Sequence, residues 1–161
     1  MDDKTRQNVG AAIGRIPSGL FILTAQHEDH RAGILVSWVQ QVCFQPPMVS
    51  VAIAKGRAIM PLISESRRFG LCQLAKGDKV LTRKFAPGLD SSEDPLLGFE
   101  LVHNTALGLP ILASALGYLE CELTCHMDVE GDHDLFIGLV RAGNCAAGEP
   151  MVHLRDNGFK Y

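Results

Sequence analysis

The stretch AGILVSWVQQVCFQPPMVSVAIA, residues 32–54, carries no charged side chain. Its length would suit a membrane-spanning helix, but three glutamines and the Pro46–Pro47 pair would leave polar groups and a broken backbone in lipid. Valine and isoleucine, which favour strands, are frequent on both sides of the prolines. We therefore predict two buried strands, Gly33–Phe44 and Met48–Ala54, joined through a Pro-Pro bend.

On either side of this stretch the chain alternates short strands with turns. The spacing of Val9, Ala12 and Ile13 predicts a first helix, with Asp2 or Asp3 as its N-cap. Further strands are predicted at residues 20–24, 69–74, 99–103, 115–127, 135–142 and 151–154, short helices at 58–65 and 79–85, and a loop at 86–95. Most connections are too short for parallel crossovers, so the sheet is expected to be antiparallel. The fold class is mainly β with short helices, and a closed or nearly closed barrel would hide the strand edges.

Composition indicates one ordinary globular domain, residues 1–161. Hydrophobic residues make up 47% and charged residues 20% of the chain, which excludes a disordered protein. The net charge of −3 shows no excess of basic residues of the kind that binds nucleic acid or an anionic membrane. Five cysteines without a CxxC pair predict reduced thiols, and the polar start lacks the pattern of a signal peptide, so we expect a cytoplasmic protein.

Standard catalytic and nucleotide-binding signatures (GxGxxG, GxxxxGK[ST], GxSxG and HExxH) do not occur. The best metal candidate is the set Cys121, Cys125 and His126. On a strand, the two cysteines share one face and His126 points to the other, so three ligands would not converge without a bend. Buried reduced thiols explain the cysteines better, and we predict no metal.

Two basic turns are candidates for binding one phosphate. Lys55-Gly56-Arg57 lies between a predicted strand and a predicted helix, and residues 83–88 read RKFAPG. Arginine binds a phosphate dianion through two parallel hydrogen bonds, and a helix N-terminus offers free N–H groups. Ordinary solvated loop charges are the alternative.

Two further segments are candidates for binding a redox cofactor or a nucleotide. Gly131-Asp132-His133 occupies the tip of the predicted 115–142 hairpin, where Gly-Asp is typical of a turn and His133 is a useful group beside a redox centre or nucleotide. The segment Leu35–Gln41 contains the only tryptophan, Trp38, together with a hydroxyl and two amides. Such a strand could line a flat aromatic ligand, and a core tryptophan is the alternative.

Taken in order, these segments resemble the flavin reductase-like family. The similarity is carried by residues 33–47, 51–55, 84–88 (KFAPG), 115–121 (ALGYLEC) and 131–133 (GDH), and by the tail from His153 to Tyr161. It extends from about Gly14 to Tyr161. It is closest to the reductase domains that resemble the C-terminal part of cyanobacterial flavodiiron proteins.

The resemblance implies an FMN-binding split β-barrel with Greek-key antiparallel topology, usually a homodimer. It implies hydride transfer from NADH or NADPH to flavin, or onward transfer of those electrons to an acceptor protein. The residues that it implies for the isoalloxazine ring are Leu35, Val36, Ser37, Trp38 and Gln41. Those implied for the ribityl and phosphate end are Ala54, Lys55, Arg57, Lys84, Phe85 and Ala86. His133, as the nearest to a catalytic residue, and Asp132 would face the nicotinamide nucleotide.

The sequence departs from the family pattern at Gln40, Cys43 and Cys72, and two other functions stay open beside the reductase. One is an FMN-binding electron-transfer module fed by a protein partner, with little NAD(P)H activity. The other is a split barrel for a different cofactor. In the reductase, the hydride chemistry belongs to the cofactors, so the protein is expected to supply placement and hydrogen-bond donors.

Overall fold

The computed structural model describes residues 1–86 and 94–160, and in this part of the chain there are three helices and nine strands. The helices are α1 (Asp3–Gly14), α2 (Ile59–Ser66) and α3 (Lys79–Lys84). The strands are β1 (Ser18–Gly19), β2 (Phe21–His27), β3 (His30–Val36), β4 (Val39–Cys43), β5 (Met48–Ala54), β6 (Arg68–Gln73), β7 (Gly117–Asp128), β8 (His133–Cys145) and β9 (Val152–His153). The predicted class, mainly β with short helices, is confirmed.

Seven strands form one antiparallel sheet in the order β3-β2-β6-β7-β8-β5-β4, and β1 pairs separately with β9. The two edge strands of the sheet, β3 and β4, follow each other in the chain and are joined through Ser37 and Trp38. The amide of Ala52 in β5 donates to the Trp38 carbonyl at 3.0 Å, and β3 also packs against β5. The sheet therefore curls until its edges approach each other, as in a nearly closed barrel.

The prediction of one long strand over Gly33–Phe44 is wrong, because the chain changes partner in the middle. Val36 at the end of β3 is paired with Phe21 of β2, whereas Val39 at the start of β4 is paired with Val51 of β5. The pairing passes from β2 to β5 between these two residues, and Ser37 and Trp38 interrupt the strand. The strand Met48–Ala54 is confirmed, and the predicted Pro-Pro bend contains a cis Gln45–Pro46 peptide.

The strand predicted at 99–103 is also wrong. Only Leu101 forms an isolated bridge, with Leu112, while Phe99 and Val102 pack against a buried hydrophobic cluster. This segment covers a face of the sheet and does not extend it. Buried Glu120 of β7, 1% exposed, holds the segment in place by accepting hydrogen bonds from the amides of Ala106 (2.9 Å) and Leu107 (2.6 Å).

Both faces of the sheet are buried at its centre. Neighbouring residues of β2 show this, because Leu23 belongs to one hydrophobic cluster and Ile22 to another. The period-two alternation of a strand directs these side chains to opposite faces. The first cluster contains Phe69, Phe136 and the inward face of α2, and the second contains Leu81 of α3 and the buried residues of the 94–116 segment: Leu96, Leu109, Ile111 and Leu112.

A final segment, residues 151–160, folds back over the first helix and is called the strap below. Its β9 part pairs with β1. The amides of Arg155 and Gly158 then donate to the carbonyls of Gly14 (2.9 Å) and Gly10 (2.6 Å) in α1. A side chain at Gly14 would collide with the Arg155 carbonyl, so glycine allows this close approach.

The N-cap of α1 and the state of the cysteines agree with the predictions made from the sequence. Asp2 caps the helix by accepting from the Thr5 amide at 2.9 Å. All five cysteines are free thiols, and burial raises the pKa of both Cys72 and Cys121 to about 12, so neither is a thiolate near neutral pH. Among the described residues, none of the helices has the length and apolar character that crossing a membrane requires.

Candidate functional site

A cavity of about 260 Å³ opens where several strand ends meet. The carboxyl ends of β3 and β5 and the start of β8 form its floor, and α3 and β9 contribute one residue each. Its described lining comprises Leu20, Ile34, Leu35, Val36, Ser37, Ala52, Ile53, Ala54, Arg57, Thr82, His133 and His153. Because most of these side chains are aliphatic, the cavity suits a flat apolar group with polar atoms at its margins.

Six of the predicted site residues line this cavity: Leu35, Val36, Ser37, Ala54, Arg57 and His133. They come from three separate segments of the sequence. The antiparallel pairing of β5 with β8 sets Ala54 directly opposite His133, which brings the Lys55–Arg57 turn and the Asp132–His133 turn to the same end of the barrel.

Two polar features mark the cavity as a ligand site. The hydroxyl of Ser37 is buried, 3% exposed, and has no hydrogen-bond partner among the described residues. A buried polar atom without a partner is costly, so a ligand that supplies one would be stabilised. Arg57 contributes a permanent positive charge to the lining, and its planar guanidinium suits an anionic group of a ligand.

His133 is oriented by two neighbours. Its Nδ1 lies 2.8 Å from Oδ1 of Asp132, and this hydrogen bond lowers the pKa of the Asp132 carboxyl. The centre of its ring lies 4.7 Å from that of Trp38, with a tilt of 48° between the planes. Trp38 is not among the described lining residues, but its ring contacts that of His133.

Lys55 points away from the cavity and into an ionic cluster on the β7–β8 hairpin. Its Nζ lies 2.7 Å from Oδ1 of Asp128 and 3.6 Å from Oδ1 of buried Asp134, which also contacts Nε2 of His126 at 2.8 Å. The hydrogen bond between Lys55 and Asp128 raises the pKa of the lysine and lowers the pKa of the aspartate. The charge of Lys55 is therefore already balanced by protein carboxylates. The sequence had predicted that this lysine binds the phosphate end of a ligand.

The remaining predicted residues lie outside the lining. Gln41 borders a second cavity and donates from Nε2 to the Cys43 carbonyl at 3.3 Å. Lys84 is exposed at the end of α3, and Ala86 follows it. Phe85 is buried, but its carbonyl accepts from the Leu35 amide at 3.1 Å, so it supports the cavity wall. Pro87 and Gly88 of the second basic turn, and most of the predicted 86–95 loop, lie outside the described residues.

Sequence reasoning missed several lining residues, of which His153 is the most informative. It projects into the cavity from β9, between exposed Val152 and exposed Leu154. Burial, and secondarily the Arg155 guanidinium, lowers the pKa of His153, so its imidazole is neutral at pH 7. The sequence alternates apolar and polar residues over 152–155, but this pattern does not show which part of the barrel the strand approaches. Thr82 and the aliphatic residues Leu20, Ile34, Ala52 and Ile53 are the others.

The three departures from the family pattern do not touch this cavity. Cys72 is buried in the second hydrophobic cluster and accepts a hydrogen bond from the Leu112 amide, while Gln40 lines the second cavity and Cys43 ends β4. Among the described residues, no group of three histidine, cysteine, aspartate or glutamate side chains has the spacing to hold a metal ion.

Comparison with known proteins adds a family and a fold. The family described as "Flavin reductase like domain" matches residues 13–160. Diflavin flavoprotein A 1 of Synechocystis sp. is 39% identical over 153 residues, covering 93% of this chain but 26% of that protein. The chain thus spans about a quarter of the length of such relatives.

Two solved structures superpose on nearly the whole chain. The NADH:FAD oxidoreductase SgcE6 of Streptomyces globisporus, in complex with NAD and FAD fragments, has a TM-score of 0.81 at 25% identity, covering 96% of this chain and 91% of that one. The flavin reductase PheA2 has a TM-score of 0.77 at 26% identity, covering 96% and 94%. These similarities confirm the antiparallel split-barrel fold.

Proposed function

Because the chain belongs to the family of flavin reductase like domains, we propose that it binds FMN in the cavity and transfers a hydride to it from NADH or NADPH. The family and its neighbours support a flavin-related oxidoreductase. The observation that carries the finer proposal is the lining itself: aliphatic walls, the partnerless Ser37 hydroxyl, Arg57 and His133 surround one space.

The lining fits FMN in three respects. The aliphatic side chains of β3 and β5 suit the faces of the isoalloxazine ring. The Ser37 hydroxyl offers a hydrogen bond that no described protein group uses. Arg57 suits the phosphate dianion, and Lys84 remains a proposed second cation at that end.

A bound flavin would supply the redox chemistry, taking a hydride from the reduced nicotinamide and a proton from water. The task of the protein is then to hold the two rings in contact and to exclude bulk water. We assign the nucleotide side to His133, with Asp132 holding its Nδ1. The opposite nitrogen of the imidazole is thereby left for the bound nucleotide.

The test is an absorbance spectrum of the purified protein with FMN, followed by anaerobic NADH and, separately, NADPH. We expect flavin bands that co-elute with the protein on gel filtration and bleach on addition of one of the nucleotides. A parallel run with FAD establishes which flavin is retained. Protein without any retained flavin would refute the assignment of the cavity.

Replacement of His133 by Ala is expected to raise KM for the nicotinamide nucleotide about tenfold, because one hydrogen-bonding group of the nucleotide site is lost. The affinity for FMN, measured by equilibrium dialysis, should change less than about twofold. His103→Ala, an exposed histidine outside the cavity lining, is the matched control. A loss of FMN affinity in His133→Ala would show that His133 binds the flavin and not the nicotinamide nucleotide.

A second candidate function is an electron-transfer module fed by another protein. It is favoured by the size of the relatives, since the matched region is only 26% of a protein named as a diflavin flavoprotein. In that case the absorbance of bound FMN would not bleach when NADH or NADPH is added to the same cuvette. A strong chemical reductant would still bleach it.

We also propose that two copies of the chain associate, as the family resemblance implies. Val42 of β4 is 49% exposed and Phe44, directly after β4, is 90% exposed, and among the described residues β4 is an edge of the sheet. Apolar side chains at an unpaired edge favour association with another chain. The acceptor of the electrons is proposed to be free flavin or a partner protein.

A further inference from the structure

The strap carries two residues toward the nucleotide end of the cavity. His153 lines the cavity, and two residues further the Arg155 guanidinium carbon lies 5.1 Å from the centre of the Trp38 ring. The same Trp38 ring contacts His133. A continuous series of contacts therefore runs from the strap through Trp38 to His133.

Arg155 is held firmly at the start of this series. Its amide donates to Gly14 of α1, and its guanidinium Nη1 lies 3.5 Å from the Gly158 carbonyl. The pairing of β9 with β1 fixes the strap on one side of Arg155, and the Arg6–Phe159 contact, 4.6 Å from guanidinium to ring centre, fixes it on the other. The backbone of Arg155 is thus fixed on α1, and its guanidinium lies between the Gly158 carbonyl and the Trp38 ring.

His133 needs such support because its other neighbour is weak. The Asp132 side chain that binds its Nδ1 is 95% exposed, whereas the His133 side chain is only 12% exposed. Water competes with an exposed carboxylate, so Asp132 alone orients the imidazole poorly. The imidazole also contacts the Trp38 ring, which lies beside the Arg155 guanidinium, and the Trp38 carbonyl accepts from the Ala52 amide of β5.

We propose that Arg155 is a positioning residue for the nicotinamide nucleotide: it holds the Trp38 ring against His133 and thereby sets the orientation of the imidazole. The inference rests on the proposed role of His133 in nucleotide binding. It makes the strap part of the site, with His153 on the cavity side and Arg155 behind Trp38.

The kinetic test compares Arg155→Ala, Arg155→Lys and the wild type, each as the FMN-loaded protein. We expect Arg155→Ala to raise KM for the nucleotide about threefold to tenfold, with kcat and the dissociation constant of FMN changed less than about twofold. Lysine keeps a cation over the ring but lacks the planar guanidinium, so Arg155→Lys should fall between the two. The matched control is Arg141→Ala, an arginine on β8 that pairs with Glu122 outside the cavity lining.

A second measurement does not depend on activity. The ring protons of His133 lie close to the Trp38 ring, and the ring current of the indole displaces their NMR resonances. The His133 resonance, identified by its loss in His133→Ala, should move toward the position of an exposed histidine in Arg155→Ala. It should remain in place in Arg141→Ala.

The outcomes separate the two proposals. An unchanged His133 resonance in Arg155→Ala overturns the positioning role, as does a loss of FMN affinity equal to the rise in KM. If the wild type oxidises neither nucleotide, the proposed reductase function fails, and the resonance alone decides whether Arg155 positions His133.

Discussion

Replacing Arg57 by Ala is expected to weaken FMN binding about tenfold to hundredfold, because a charge-assisted hydrogen bond contributes about 1.5–3 kcal/mol. Arg57 supplies the permanent positive charge of the described cavity lining. Riboflavin lacks the phosphate, so its affinity should fall by about twofold or less. Isothermal titration calorimetry with the two ligands measures both values on the same protein.

Lys55→Ala is the matched control for this prediction. Lys55 lies two residues away in the same turn, but its ammonium is paired with Asp128 and Asp134. We expect its loss to change FMN affinity about twofold or less, since the pairing is on the hairpin and not in the cavity. Equal losses of FMN and riboflavin in Arg57→Ala would show that Arg57 does not bind the phosphate.

The largest effect on stability is expected from Glu120→Ala. The carboxylate accepts two backbone hydrogen bonds, from Ala106 and Leu107, and is 1% exposed. Its removal leaves both amides without that partner and opens a gap under the 94–116 segment. The free energy of unfolding should fall by about 2–4 kcal/mol, because hydrogen bonds to charged groups are among the stronger ones. Urea unfolding followed by circular dichroism measures the change.

Glu122→Ala provides the comparison on the same strand. Glu122 is partly exposed and pairs with exposed Arg141 at 2.6 Å, so its removal should cost about 0.5 kcal/mol or less. A similar loss of stability in both variants would mean that the two backbone hydrogen bonds of Glu120 contribute no more than the exposed Glu122–Arg141 pair. A small loss in Glu120→Ala would mean that the 94–116 segment is held by its apolar contacts alone.

The elements with strong local patterns were predictable, and those that depend on distant pairing were not. The residues of β5 carry the β-branched pattern of a buried strand, and α1 has both its apolar spacing and its Asp2 cap. The break between β3 and β4 has no clear local signal, because neither a charged residue nor a glycine or proline separates Val36 from Val39. It follows from which strand each half pairs with, a property of the whole sheet.

The cavity shows the same division. Residues beside recognisable turns, such as Arg57 and His133, could be named from the sequence, and the fold brings them together through the β5–β8 pairing. Lys55 and Arg57 look equivalent in one turn, yet Asp128 draws Lys55 away across 73 positions of the chain. His153 could not be placed, because the strap approaches the cavity only once β9 has paired with β1.

Trp38 is the single tryptophan of the chain, and it stands beside the cavity in contact with His133 and Arg155. All indole fluorescence of the protein therefore comes from one known point. A bound flavin would absorb that emission, and any displacement of the strap would change the surroundings of the emitter. The protein thus reports on cofactor loading by its own ultraviolet emission, without a dye or an added label.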